Sequence, residues 1–165
     1  MIHAIVVRFG SVVPSPFPIP DTSQLPVFTD NVLPSLLIHL GVIDISSASH
    51  ELKFKFSDAG SPDILSSLLA ETSPNTNADK HSNSIPSEGP ILTVEQSYIL
   101  RAAAIDACDQ IVNVARSPGT KLAENLEWMR DITLPQLDWW IRSVAQDRQD
   151  YRQLERFVLK ETVFF

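Results

Sequence analysis

The sequence has little cysteine and no long hydrophobic run. One cysteine, Cys108, in 165 residues excludes an internal disulfide framework, and the four histidines lack the paired spacing of a zinc site. No apolar run approaches the roughly 20 residues needed to cross a bilayer. Residues 1–7 are too short for a signal peptide and have no cleavage site. We therefore expect a metal-free protein in the cytoplasm, without a membrane partner.

Basic residues are also scarce. Lysine and arginine number 13 against 20 aspartates and glutamates, which gives a net charge of −7. Duplex nucleic acids and anionic membranes are bound by surfaces with a basic footprint. The charge balance thus argues against RNA or DNA as a direct partner.

The remaining composition predicts one domain with unequal parts. Hydrophobic residues make up 44% of the chain, enough for a single core. Residues 1–27 read as a lead segment, in which residues 2–9 suit a strand and five prolines between 10 and 26 favour an extended path. Residues 28–165 read as a helical domain. Within it, the polar residues 71–92 read as a flexible, disordered insertion loop.

Residues 28–46 form the segment around which the chain is organised. Pro34 suits the first position of a helix, and Gly41 favours its end. This leaves Asp30 outside the helix, either in an Asx-type turn or free to act in a site. His39 near the helix end faces inward, where a core role is commoner than a catalytic one.

Further elements follow from periodicity and capping patterns. Alternating Leu52, Phe54 and Phe56 predict a half-buried strand, and three more helices are expected beside a short one at 62–69. Thr93 and Thr133 each precede a glutamine by three residues, a capping-box pattern. The three helices are predicted over residues 93–116, 121–130 and from 133 onward.

Two charged residues stand on apolar helix flanks. Asp138 lies beside Leu134, Ile141 and Ala145 and next to Trp139 and Trp140. It is either a buried carboxylate that needs a cation or one half of an i, i+4 pair with Arg142.

Arg101 similarly falls in line with Ile105, Cys108 and Val112. Its guanidinium either extends to the solvent, or forms an ion pair with an internal carboxylate, or binds a phosphate or carboxylate ligand.

Four stretches together resemble the carboxyl-terminal half of the queuosine salvage protein family, whose members are queuosine 5′-phosphate N-glycosidases. They are FTDNVLPSLLIHLG, through Asp30 and His39; ILRAAAIDACDQI, through Arg101; LPQLDWWIRSVAQ, through Asp138; and the terminal TVFF. They occur in the family's order. The basic run before the family's terminal aromatics is replaced here by FVLKE.

The resemblance implies a mainly α fold like helical glycosylases. It further implies hydrolysis of the bond between a 7-deazaguanine base and ribose 5-phosphate, which releases queuine for tRNA modification without a metal or organic cofactor. By this resemblance Asp30 and Asp138 are the catalytic carboxylates, and Asp30 is the preferred candidate for the main catalytic role. His39, Arg101, Trp139 and Trp140 carry over as substrate-binding residues. Tryptophan rings can stack on the base or sugar, although we expect at least one of the two to pack in the core.

Family members are longer, so a partner chain could supply the half that is missing here. The rival hypothesis is a non-catalytic helical interaction module that binds a partner through exposed apolar surface. A third hypothesis is that the chain is a helical DNA glycosylase. The net charge of −7 argues against this hypothesis, because DNA binding requires a basic surface.

Overall fold

A computed structural model describes residues 2–16, 18–70 and 88–159 of the chain. In these residues the fold is mainly helical, with one pair of short strands. The elements in chain order are α1 (Ile2–Phe9), α2 (Val32–His39), α3 (His50–Lys55), α4 (Pro62–Leu69), β1 (Glu88–Leu92), α5 (Val94–Arg116), a 3₁₀-helix (Glu124–Asp131), α6 (Leu134–Asp147), α7 (Gln149–Arg152) and β2 (Arg156–Leu159).

Helix α2 is the central element. All of its residues from Leu33 to His39 are buried, and they divide between two hydrophobic clusters. On one side Leu36 packs in a cluster with residues of α5 and α6, while Ile38 joins a second cluster with the two strands. Gly41 follows the helix with a φ of 68°, the left-handed conformation predicted for its end.

Helix α2 begins two residues earlier than predicted. Pro34 was expected at the first helical position, but the helix starts at Val32 with Asn31 as its N-cap. Proline is therefore the third helical residue. The first N–H groups of a helix have no partner within it, so the missing N–H of Pro34 costs no hydrogen bond there.

Two predicted strands are helices. Residues 2–9 form α1, since a helix satisfies its own backbone groups while a strand without a neighbour cannot. Residues 50–55 form α3, capped by the Ser49 side chain. Leu52 and Phe56 are both buried whereas Phe54 is 76% exposed, a spacing of four that fits a helix.

The helices predicted from capping patterns are confirmed. In α5 the Gln96 N–H donates to Thr93 Oγ1, and the Thr93 N–H donates to Gln96 Oε1, both at 3.1 Å. Helix α6 begins after Thr133, whose N–H donates to Gln136 Oε1 at 2.8 Å. Helix α4 spans the predicted residues. The expected helix at 121–130 is instead the 3₁₀-helix, which buries no residue.

The two strands were not predicted. Strand β1 occupies the last five residues of the expected 71–92 loop and pairs in parallel with β2, with Ile91 opposite Val158. The rest of that loop, and the terminal TVFF, lie outside the described residues. Strand β2 adds Phe157, which is fully buried, to the second cluster. The strands thus join the chain's carboxyl-terminal part to α2 and α5.

Candidate active site

Asp30 stands two residues before α2, and both of its carboxylate oxygens accept hydrogen bonds. Oδ1 accepts the Val32 N–H at 2.8 Å and the Leu33 N–H at 3.4 Å, which is the Asx-type turn considered from the sequence. Oδ2 accepts from Nη1 of Arg142 at 2.7 Å. The turn therefore fixes the carboxylate at the start of a buried helix and leaves one oxygen for a long-range partner.

Arg142 of α6 binds both candidate carboxylates. Its Nε donates to Asp138 Oδ1 at 2.9 Å, one helical turn away, while Nη1 binds Asp30. The exposed fraction is 22% for the Arg142 side chain and 15% for each aspartate. Burial alone would lower the pKa of Arg142, but the hydrogen bonds and negative charges of the two aspartates raise it overall. The centre is thus an ion triad with one excess negative charge.

Phe28 closes one side of this triad. Its carbonyl accepts from Nη2 of Arg142, and its N–H donates to Asp138 Oδ2 at 3.4 Å. The guanidinium also lies over the Phe28 ring, 5.4 Å from the ring centre. Backbone hydrogen bonds, a contact between the guanidinium and an aromatic ring, and an ion pair therefore connect the segment before α2 to α6.

A cavity of about 580 Å³ opens beside the triad. Its lining includes Asp138, Trp139 and Arg142 of α6, Phe28, and His3 of α1. Asp30 does not line this cavity and is connected to it through Arg142. Asp138 Oδ2, whose described contact is the long one to Phe28, is the carboxylate oxygen that remains most available to a bound molecule.

Trp139 and Trp140 have different surroundings. Trp139 lines the cavity and is 49% exposed, while Trp140 is 45% exposed and lies 6.0 Å from the ring of Trp128. Neither side chain belongs to the buried core, contrary to the core packing expected of at least one. Trp139 is the ring that a ligand in this cavity would meet.

Neither His39 nor Arg101 is among the residues that line the cavity beside the triad. His39 is buried at the end of α2, where its Nε2 contacts the Glu155 carbonyl oxygen at 3.0 Å, and it lines a separate cavity with Phe56. Arg101 is half-buried on α5. Asp138 has Arg142 as its ion-pair partner, the local alternative recognised in the sequence. Substrate roles for His39 and Arg101 stay predictions.

The histidine and acidic side chains, the helices and the single cysteine were also compared with what metal sites, membrane spans and reactive thiols need. Within residues 2–16, 18–70 and 88–159, no group of three or more histidine, cysteine, aspartate or glutamate side chains is arranged to hold a metal ion. Over the same residues, no helix has both the length and the apolarity to span a membrane. Cys108 is buried, and burial, with Asp138 and Asp109 nearby, raises the pKa of its thiol to about 12.

The chain matches no protein-family model, no curated protein and no solved structure. Its function must therefore be inferred from its own side chains and from the four sequence blocks.

Sequence reasoning underestimated two residues at this centre. Arg142 was considered only as a surface partner for Asp138, because its i, i+4 spacing is visible in the sequence whereas its contact with Asp30, 112 positions away, is not. Phe28 was noted only as part of a motif. Its backbone contacts depend on the path of the chain before α2, which no local pattern encodes.

Proposed function

We propose that this chain is a queuosine salvage-type domain that cleaves the N-glycosidic bond of queuosine 5′-phosphate and releases queuine. Its fold would then correspond to the carboxyl-terminal half of a helical glycosylase-like enzyme. The observation that carries the proposal is the convergence of Asp30 and Asp138 on Arg142 beside a cavity. These two carboxylates come from different sequence blocks that resemble the family, and 108 positions of chain separate them.

The proposed chemistry uses the carboxylates and the aromatic wall. Cleavage of an N-glycosidic bond builds positive charge on the sugar, which a carboxylate stabilises while it positions or deprotonates the attacking water. Asp138 faces the cavity and has an oxygen for this task. Asp30 orients Asp138 through Arg142, so the order of importance suggested by the resemblance is reversed. Trp139 supplies a ring against which a base or sugar can stack.

Release of queuine tests the proposal directly. The purified chain is incubated with queuosine 5′-phosphate, and free queuine is followed by mass spectrometry. We expect release by the unmodified chain, loss of release in Asp138→Asn and slower release in Asp30→Asn. An asparagine at position 30 still accepts the N–H groups of the Asx-type turn, so Asp30→Asn removes the charge without removing the turn.

Asp44 provides a matched control. It also accepts a backbone N–H two residues later, from Ser46 at 2.7 Å, but takes no part in the triad. Asp44→Asn is therefore expected to release queuine at the unmodified rate. A folded chain that releases no queuine would contradict the proposed activity.

An open apolar groove favours a second candidate, the non-catalytic interaction module. The groove holds about 570 Å³ and is lined along α5 by Ala103, Ala107, Ile111 and Val114. Exposed apolar surface of this kind can bind a partner or a second copy of the chain. Concentration-dependent association in sedimentation experiments, together with no queuine release, would select this function.

A further inference from the structure

Residues of the lead segment line the cavity beside the triad. They are His3 and Ala4 of α1 together with Leu25 and Pro26, which come shortly before Phe28. We call these four residues the lead-segment wall. None of them belongs to the four stretches that resemble the queuosine salvage family. The lead segment is therefore part of the candidate site.

Thr22 connects the two parts of the lead-segment wall. Its Oγ1 lies 2.9 Å from Nδ1 of His3, and its carbonyl oxygen accepts the Leu25 N–H at 3.1 Å. Thr22 is itself buried, with 5% of its surface exposed. One buried residue thus holds α1 through its side chain and the turn over residues 22–25 through its backbone.

The lead-segment wall offers open apolar surface to a ligand. Ala4, Leu25 and Pro26 are exposed, and the rings of Phe28 and Trp139, which line the same cavity, are 67% and 49% exposed. A ligand that covers this surface removes apolar area from water, which stabilises the complex. The cavity volume of about 580 Å³ lies within the range of about 300–1,000 Å³ usual for small-molecule sites.

The fixed charges of the cavity lining come from α6. Asp138 and Arg142 line the cavity, and Asp30 is connected to it through Arg142. The lead-segment wall contributes no carboxylate, ammonium or guanidinium group to this lining, and Nδ1 of its histidine, His3, contacts Thr22. A ligand with an uncharged ring and a second part that becomes positively charged therefore matches the two kinds of lining.

We propose that the lead-segment wall binds the 7-deazaguanine base while the sugar lies at Asp138. The base is planar and uncharged, so it suits an apolar wall and the Trp139 ring. The positive charge that develops on the sugar during cleavage is stabilised only near a carboxylate. This inference rests on the proposed function and deepens it, because it assigns the base to residues outside the four sequence blocks. Thr22 is a positioning residue, which acts through His3 and Leu25.

Isothermal titration calorimetry with queuine and with ribose tests the base site without requiring catalysis. We expect queuine to bind and ribose, which has no base, not to bind. Ala4→Phe places a ring in the cavity and should weaken queuine binding by at least about tenfold. Leu25→Ala removes apolar area from the wall and should weaken it by a smaller factor. If circular dichroism shows Ala4→Phe to be unfolded, Leu25→Ala decides the test.

Ala102→Phe is the matched control for Ala4→Phe. Ala102 is exposed on α5 and does not line this cavity, so the same substitution adds a ring elsewhere on the surface. Its affinity for queuine should equal that of the unmodified chain.

Two substitutions of Thr22 test its positioning role. Thr22→Val keeps the shape of the side chain but removes the hydroxyl, so queuine should bind about two- to tenfold more weakly. Thr22→Ser keeps the hydroxyl and should bind queuine nearly as tightly as the unmodified chain. Thr120→Val removes a hydroxyl that donates to the Val114 carbonyl outside the cavity, and should not change the affinity. Equal losses in Thr22→Val and Thr22→Ser would contradict a role through the hydroxyl.

The outcomes separate this inference from the proposed activity. Queuine binding that Ala4→Phe weakens, without queuine release, supports the base site and contradicts the glycosidase. Equal queuine affinity in Ala4→Phe, Ala102→Phe and the unmodified chain overturns the base site. A folded, unmodified chain that binds no queuine, or binds ribose as tightly as queuine, also overturns it. Queuine release from queuosine 5′-phosphate would in either case still support the glycosidase.

Discussion

At the residue scale, Arg142 determines the properties of the candidate site. One guanidinium binds two carboxylates, a carbonyl oxygen and an aromatic face. Its two ion-pair partners come from the start of α2 and from α6, so it also holds these elements together. The i, i+4 partner could be predicted from sequence; the partner 112 positions away could not, because it depends on how the helices pack.

Removal of Arg142 should destabilise the fold. Arg142→Gln leaves two mostly buried carboxylates without their cation, and we expect a loss of about 2–3 kcal/mol, below the ~3–5 kcal/mol typical of a fully buried pair. Arg142→Lys should recover part of this loss. Urea unfolding measures the change.

The same measurement on Glu127→Gln serves as the comparison, since its ion pair with Arg130 is more exposed and should contribute only about 0–1 kcal/mol. Equal losses for the two glutamine variants would show that the triad contributes no more than a surface pair.

Cys108 should be unreactive in the folded protein. Its thiol pKa of about 12 means that the nucleophilic thiolate is scarce at neutral pH, and the side chain is fully buried. Iodoacetamide at pH 8 is expected to leave the native chain unmodified and to alkylate the chain in urea, as mass spectrometry would show. Rapid alkylation without denaturant would place Cys108 at an accessible position.

At the scale of elements, local signals predicted some helices and misassigned others. Capping boxes marked the starts of α5 and α6 because their hydrogen bonds lie within four residues. Alternating apolar residues at 52–56 suggested a strand, yet the burial of Leu52 and Phe56 against the second cluster gives a helix. Strands β1 and β2 were missed because each is short and is stabilised by a partner distant in sequence.

Gly89 should be essential to the pairing of β1 with β2. A Cβ atom at this position would lie 2.5 Å from the carbonyl oxygen of Arg156, too close for any real contact. Gly89→Ala is therefore expected to disrupt the strand pair and lower the unfolding temperature. Thermal unfolding followed by circular dichroism measures this effect.

Gly119 offers the control, since a Cβ there meets no atom within 4 Å. Gly119→Ala should leave the unfolding temperature nearly unchanged. A Gly89→Ala chain as stable as the Gly119→Ala chain would contradict the described strand pairing.

At the scale of the whole molecule, composition predicted a single domain but neither its fold class nor its site. A chain with 44% hydrophobic residues indicated one core. The capping patterns and the four sequence blocks predicted a mainly helical fold, and the described residues are mainly helical. The four sequence blocks indicated Asp30 and Asp138, and these two do share one partner. The pairing of Asp30 with Arg142 could not be foreseen, because the segment before α2 and helix α6 meet only in the folded chain.

The rate of queuine release from queuosine 5′-phosphate tests the central claim, that Asp138 is the catalytic carboxylate and that Asp30 positions it through Arg142. We expect Asp138→Asn to lower the rate by about a hundredfold or more, the size of a general acid–base contribution. Asp30→Asn should lower the rate by a smaller factor, because Asp30 acts through Arg142, while Asp44→Asn keeps the unmodified rate. Rates in both triad variants equal to that of Asp44→Asn would contradict the claim and leave the triad a structural ion pair.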